Sequence, residues 1–147
     1  MVDLEKIRAK SQVIEANLAR LEQLKTQSRD AFLADFRNVE TAKRLLQVSI
    51  EAIIDAATHI IARKRLPTPA SSGEAFTRLG EVGLLPQHHI ATYLVMVRFR
   101  NRLVHMYAEV NDEEVYRTLQ MNLGDFRTFL ADLAQIVAAE PPHGSSV

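Results

Sequence analysis

Between Phe36 and Arg65, Leu45, Leu46, Ile50, Ile53, Ile54, Ala57, Ile60 and Ile61 recur at helical spacing over a wide arc. The arc is too wide for a seam between two helices. A helix of this kind buries its apolar surface only when several neighbours surround it, so it is expected to be the central helix of a bundle. It should stop at "LPTPASSG", because proline cannot continue a helix and restricts the residue before it.

The rest of the chain supplies the neighbours. Leu4, Ile7, Ser11, Ile14, Leu18, Leu21 and Lys25 alternate in steps of three and four, which predicts a first helix with a narrow apolar seam. Ser71 and Glu74 have capping-box spacing, which predicts a short helix over 72–81. Pro86 suits the first turn of a fourth helix carrying "HHIATYLVMVRFRNRLVH". Asn111 and Asp112 can cap a fifth, whose spacing through Val115, Leu119, Asn122, Phe126, Phe129, Leu130 and Leu133 predicts one continuous element. No strand pattern or repeat is present. The expected architecture is an all-α, up-and-down bundle of four long helices plus one short one over residues 1–138, with residues 139–147 as a disordered tail.

Composition narrows the function. Eighteen Lys and Arg balance eighteen Asp and Glu, which excludes a strongly basic nucleic-acid coat but not a local basic patch. The absence of cysteine removes disulfides, thiolate nucleophiles and zinc–thiolate sites together. "MVDLEKIRAK" mixes charges from its third residue, unlike a signal peptide, and no apolar run approaches the ~20 residues of a membrane helix. A soluble, cytoplasmic protein without a membrane role is expected.

One stretch departs from bundle grammar. In "RFRNRLVHMY", Arg98 to Tyr107, the apolar side formed by Tyr93, Met96, Val97, Leu103, Val104 and Tyr107 has Arg100 at its centre. Arg98, Asn101, Arg102 and His105 share the other side, and Arg98 and Arg102 are expected to be ordinary solvated residues. An arginine at a leucine position needs a carboxylate partner, an outward-snorkelling stem, or a wet cleft that binds an anion. His105 lies five residues on, about 140° away, so it shares a site with Arg100 only if the helix breaks or two copies face each other. "MYAEVND" offers a break. Tyr107, seven residues after Arg100, is expected two turns along the same face.

Other groupings carry less. Asp55 and His59 are i,i+4 neighbours, read as a surface pair or as support for a cleft. His88 and His89 are adjacent and point apart on a helix, so no metal site is expected. "ARKR" at 62–65 suits a helix C-terminus first and nucleic-acid phosphates second.

The pattern Arg100-Asn101-x3-His105-x-Tyr107 resembles the R-x4-6-H-x-Y motif of HEPN-domain ribonucleases, and most closely the HepT-like toxins. "RLLQVSIEAIIDAATHIIARKRLPTP", "GEAFTRLGEVGLLP" and the motif helix occur in the order seen in that family, over roughly residues 3 to 138. The resemblance implies a homodimeric bundle that cleaves RNA without metal or cofactor, with Arg100 and His105 as the catalytic pair and Asn101 in support. It also implies silencing by a cognate minimal nucleotidyltransferase (MNT) antitoxin that attaches AMP to a tyrosine. Some relatives have a tyrosine where this chain has Arg102, which leaves Tyr107 as the candidate here. The rival readings are a non-catalytic dimer that binds a nucleotide or a nucleotidyltransferase partner, and a purely structural dimer.

Overall fold

The computed structural model of the protein describes residues 4–140. The chain runs through α1 (Leu4–Lys25), α2 (Arg29–Ala34), α3 (Phe36–Arg63), α4 (Ser72–Glu81), α5 (Ile90–His105), α6 (Asp112–Met121) and α7 (Leu123–Ala138). Single 3-10 turns at Gln87–His89 and Tyr107–Glu109 flank α5. No strand occurs among the described residues, so the all-α bundle expected from the sequence is observed. The expected tail falls mostly on residues 141–147, outside the described ones.

Helix α3 is the axis. It touches α1, α2, α4, α5 and α6, and half of its 28 residues are buried. Each fully buried isoleucine on it contributes about 1.5–3 kcal/mol relative to exposure. Contrary to expectation, α3 contains an 18-residue window that is by length and composition apolar enough to cross a membrane, with a mean hydropathy of 1.5. However, 61% of that window is buried inside the protein, as suits a core helix. Helices α3 and α5 run antiparallel: Arg100 lies near Glu51, while Tyr107, further along, meets Glu40.

The chain ends its helices by local chemistry. Arg65 adopts φ 56° and lets the Leu66 amide donate to the Ile61 carbonyl at 3.0 Å, so α3 is closed before the prolines are reached. Gly83, at φ 78°, does the same for α4 through the Leu84 amide and the Leu79 carbonyl, 2.9 Å. The Ser71 hydroxyl accepts from the Glu74 amide as the capping box predicts.

Two elements differ from expectation. A six-residue α2, capped by Ser28, intervenes after α1 and buries Phe32 against Tyr116. The expected fifth helix is two helices, because Asn122 leaves helical geometry (φ −120°, ψ 0°) between α6 and α7. The apolar phase survives the break, since Leu119, Leu123, Phe126 and Phe129 are all buried.

The start of α5 is latched to α7. The Tyr93 hydroxyl donates to Asp132 Oδ2, and His89 Nδ1 lies 2.8 Å from the same oxygen. Burial first, then the carboxylate, pushes the Tyr93 phenol far above its ordinary range, so it stays a donor. Its ring packs edge-on against Phe129 and tilted against Phe76.

Gly80 marks where α4 meets α5: a Cβ there would stand 2.7 Å from Ile90 Cγ1 and 2.8 Å from Gln87 Oε1. Gly80→Ala should therefore lower stability by about 1–3 kcal/mol through overpacking. At Gly124, in the first turn of α7, a Cβ meets nothing within 4 Å. Gly124→Ala should raise stability by up to about 1 kcal/mol. Urea unfolding midpoints of the two variants should move in opposite directions.

Candidate active site

Helix α5 ends at His105, and Met106 turns out of it at φ −136°, ψ 47°. The break foreseen in "MYAEVND" is real, but it comes after His105. Arg100 and His105 thus lie on one regular helix, about 140° apart, and a single chain does not bring them together.

Arg100 points between α3 and α4. Its Nη2 donates to Ser72 Oγ at 3.3 Å, and its Nη1 stands 3.9 Å from Glu51 Oε2, beyond a good hydrogen bond. That same Glu51 oxygen accepts from Gln47 Nε2 at 3.3 Å. Arg100 Nε is buried with no partner. The guanidinium has five N–H donors and this environment engages one of them, at a long distance, so its charge is loosely neutralised and donors remain for an anion. Asn101 and His105 are exposed and have no partner among the described residues.

Tyr107 corrects an expectation. Because α5 stops at His105, Tyr107 does not continue the Arg100 face; it sits in the 3-10 turn and turns onto α3. Its hydroxyl donates to Glu40 Oε2. Its ring lies 4.0 Å from Lys43 Nζ, and that ammonium donates to its carbonyl at 3.3 Å. Lys43 is only 5% exposed, so it acts as a buried pin, while Tyr107 remains 41% exposed. Burial against these neighbours, then the Glu40 carboxylate, pushes the phenol up to about 12.

Arg102 is also not the solvated residue expected. It forms two parallel hydrogen bonds to Glu114 of α6, at 2.6 and 2.8 Å, and holds that carboxyl below the usual carboxylate range. The pair ties the end of α5 to α6. Beside it, Leu46, Met96, Phe99 and Phe126 floor a groove of about 420 Å³ with Arg98 and Arg117 also in its lining.

The remaining groupings make other contacts. Asp55 accepts from Lys10 of α1 at 3.1 Å. His89 serves the Asp132 latch, His88 is exposed, and no group able to hold a metal ion occurs among the described residues. In the basic run, Lys64 pairs with Glu140 at 2.6 Å. Glu40, Lys43, Glu51 and Ser72 were not singled out from sequence. Lys43 alone carried a local signal, as a lysine on the apolar arc between Val39 and Leu46.

The Tyr107 environment has a direct spectroscopic consequence. Its phenol keeps its proton between pH ~10, where an unfolded tyrosine ionises, and about 12. The stability this contributes is complete below pH ~10 and is lost as pH rises through the folded value. The 295 nm difference titration against Tyr107→Phe should show no phenolate step near pH 10, and Glu40→Gln should move the step down. An ordinary midpoint in the unaltered protein would mean that Glu40 does not hold the hydroxyl.

Comparison with known proteins places this geometry. Residues 14–133 match the ribonuclease HepT-like family. The chain is 36% identical over 99 residues to the mRNA nuclease HepT of Shewanella oneidensis, covering 67% of this chain and 74% of that protein. It is 25% identical over 127 residues to the tRNA nuclease HepT of Aphanizomenon flos-aquae, covering 86% of each. Among solved structures, the tri-AMPylated Shewanella oneidensis HEPN toxin in complex with MNT antitoxin superposes with a TM-score of 0.81 at 32% identity, over 92% of this chain and 99% of that one. A toxin–antitoxin structure with AMP-PNP gives 0.78 at 31% identity, over 90% and 99%. With the family match spanning most of the bundle and every element that carries the motif, this chain belongs to the ribonuclease HepT-like family.

Proposed function

We propose that this chain is the ribonuclease toxin of a HEPN/MNT toxin–antitoxin pair, acting in the cytoplasm as a homodimer. The observation that carries the reading is the state of Arg100: a mostly buried guanidinium with unspent donors, five residues before a free histidine that its own chain cannot bring beside it. A two-fold axis beside α5 supplies what one chain lacks, since it sets two copies of the motif across one cleft.

The chemistry needs no metal. A 2′-hydroxyl attacks the adjacent phosphorus, the bond to the 5′-oxygen breaks, and the products are a 2′,3′-cyclic phosphate and a 5′-hydroxyl. His105 takes the 2′-hydroxyl proton, and the second copy's imidazole protonates the departing oxygen. Arg100 stabilises the charge that grows on the phosphorane oxygens, and Asn101 orients the phosphate. Silencing follows from Tyr107, which stands two residues from His105 with an exposed ring. AMP transferred to its hydroxyl by the nucleotidyltransferase adds bulk and negative charge at the mouth of the cleft and repels the RNA backbone. The tri-AMPylated relative, bound to its antitoxin, supports this reading.

Arg100→Ala and His105→Ala should each lower RNA cleavage by about 10²-fold or more, with the melting curve retained. Arg20→Ala, on the exposed side of α1, should cut normally, and EDTA should not inhibit. Sedimentation should give a dimer at micromolar concentration. A monomer that cuts RNA, or a cleavage reaction that needs added divalent ion, would remove the reading.

A further inference from the structure

Resting on the reading of Tyr107 as the modified residue, we propose that Glu40 is the general base for that modification, supplied by the toxin rather than by the enzyme that modifies it. The carboxylate already holds the proton that must leave: the Tyr107 hydroxyl donates to Glu40 Oε2 across the gap between α3 and the turn after α5. Both residues are open to a partner, since Glu40 is exposed and Tyr107 is 41% exposed. Lys43, one turn further along α3, is the positioning residue. It fixes the tyrosine backbone through the carbonyl and the ring through its face.

The step balances as follows. The phenolic oxygen attacks the α-phosphorus of a nucleoside triphosphate that the transferase brings. The Oη–Pα bond forms, the bond from Pα to the bridging oxygen breaks, and pyrophosphate leaves with the electron pair. The phenolic proton passes to Glu40 and then to water. A base is required because the free phenolate is scarce: with the phenol near 12, roughly one molecule in 10⁵ is ionised at neutral pH. The oxygen becomes strongly acidic only as its bond to phosphorus forms, so the proton must leave within the step, toward an acceptor already in place. As negative charge grows on the phenol, the Lys43 ammonium at 4.0 Å from the ring centroid stabilises it.

The charged groups around the phenol are Glu40 and Lys43 from α3. Lys43 lies close enough to the Arg102–Glu114 pair to help hold Glu114 ionised, and His105 stands at the end of α5. The test uses the full chain, its cognate nucleotidyltransferase and ATP, with AMP additions read by intact mass over time. Glu40→Gln preserves shape and removes basicity. Its kcat for AMP transfer should fall about 10²–10³-fold with the KM for ATP and the melting curve unchanged, and Glu40→Asp should recover part of the loss.

Across about pH 7.5 to 9, above the ordinary histidine range, the unaltered chain should react at a nearly level rate. The Gln variant should gain about tenfold per pH unit, because only its phenolate attacks. Transfer to Glu40→Gln at the unaltered rate, or a loss without that pH slope, overturns the role of Glu40. Modification that persists in Tyr107→Phe instead overturns the assignment of Tyr107, and the two failures are read separately.

Discussion

Helix α3 packs against five others and buries half of its residues, so its polar side chains are confined to what remains of its surface. Glu40, Lys43, Gln47 and Glu51 follow one another in steps of three and four, so they form one stripe on its surface. Lys43 is the one buried member of the stripe, and the end of α5 with the turn after it passes over these residues and supplies partners. Tyr107 meets Glu40 and Lys43, while Arg100 stands by Glu51. The two levels are about 12 Å apart along α3, eight residues at 1.5 Å each. The candidate site is therefore laid out by the core helix as much as by the motif helix.

The fold was legible where the physics is local. Leu4–Lys25 appeared as a seam, Ser71 and Glu74 marked the start of α4, and Asn111 capped α6, its side chain accepting from the Glu114 amide. The two misreadings share a cause. Helix α2 is too short to show a period, and the break at Asn122 leaves the apolar period in phase. Periodicity reports which face is buried, not whether the backbone between two apolar residues is continuous.

The site divides the same way. Arg100 was conspicuous because it interrupts an apolar side, and the end of α5 could be placed by its breaker residues. What α5 touches was not visible. Arg102 and Glu114 are twelve residues apart on different helices, and nothing local to either announces a two-bond pair. Tyr107 was placed on the Arg100 face by continuing a helix that stops two residues earlier. Asp132 and Lys43 carried the same signal as Arg100, a charged residue on an apolar face, and each marks a place where α5 or the turn after it is held.

The latch on Asp132 has a consequence for symmetry. Helix α5 is fixed at its start by Tyr93 and His89 and at its end by Arg102 and the pin on Tyr107. In the proposed dimer, a two-fold axis crossing α5 would turn any slip of one copy into an opposite slip of the other. A one-residue slide of 1.5 Å then opens the span between paired side chains by up to about 3 Å. That exceeds the tolerance of a proton transfer. A helix clamped at both ends would keep the proposed two-fold site in register, because geometric error in such a site is counted twice.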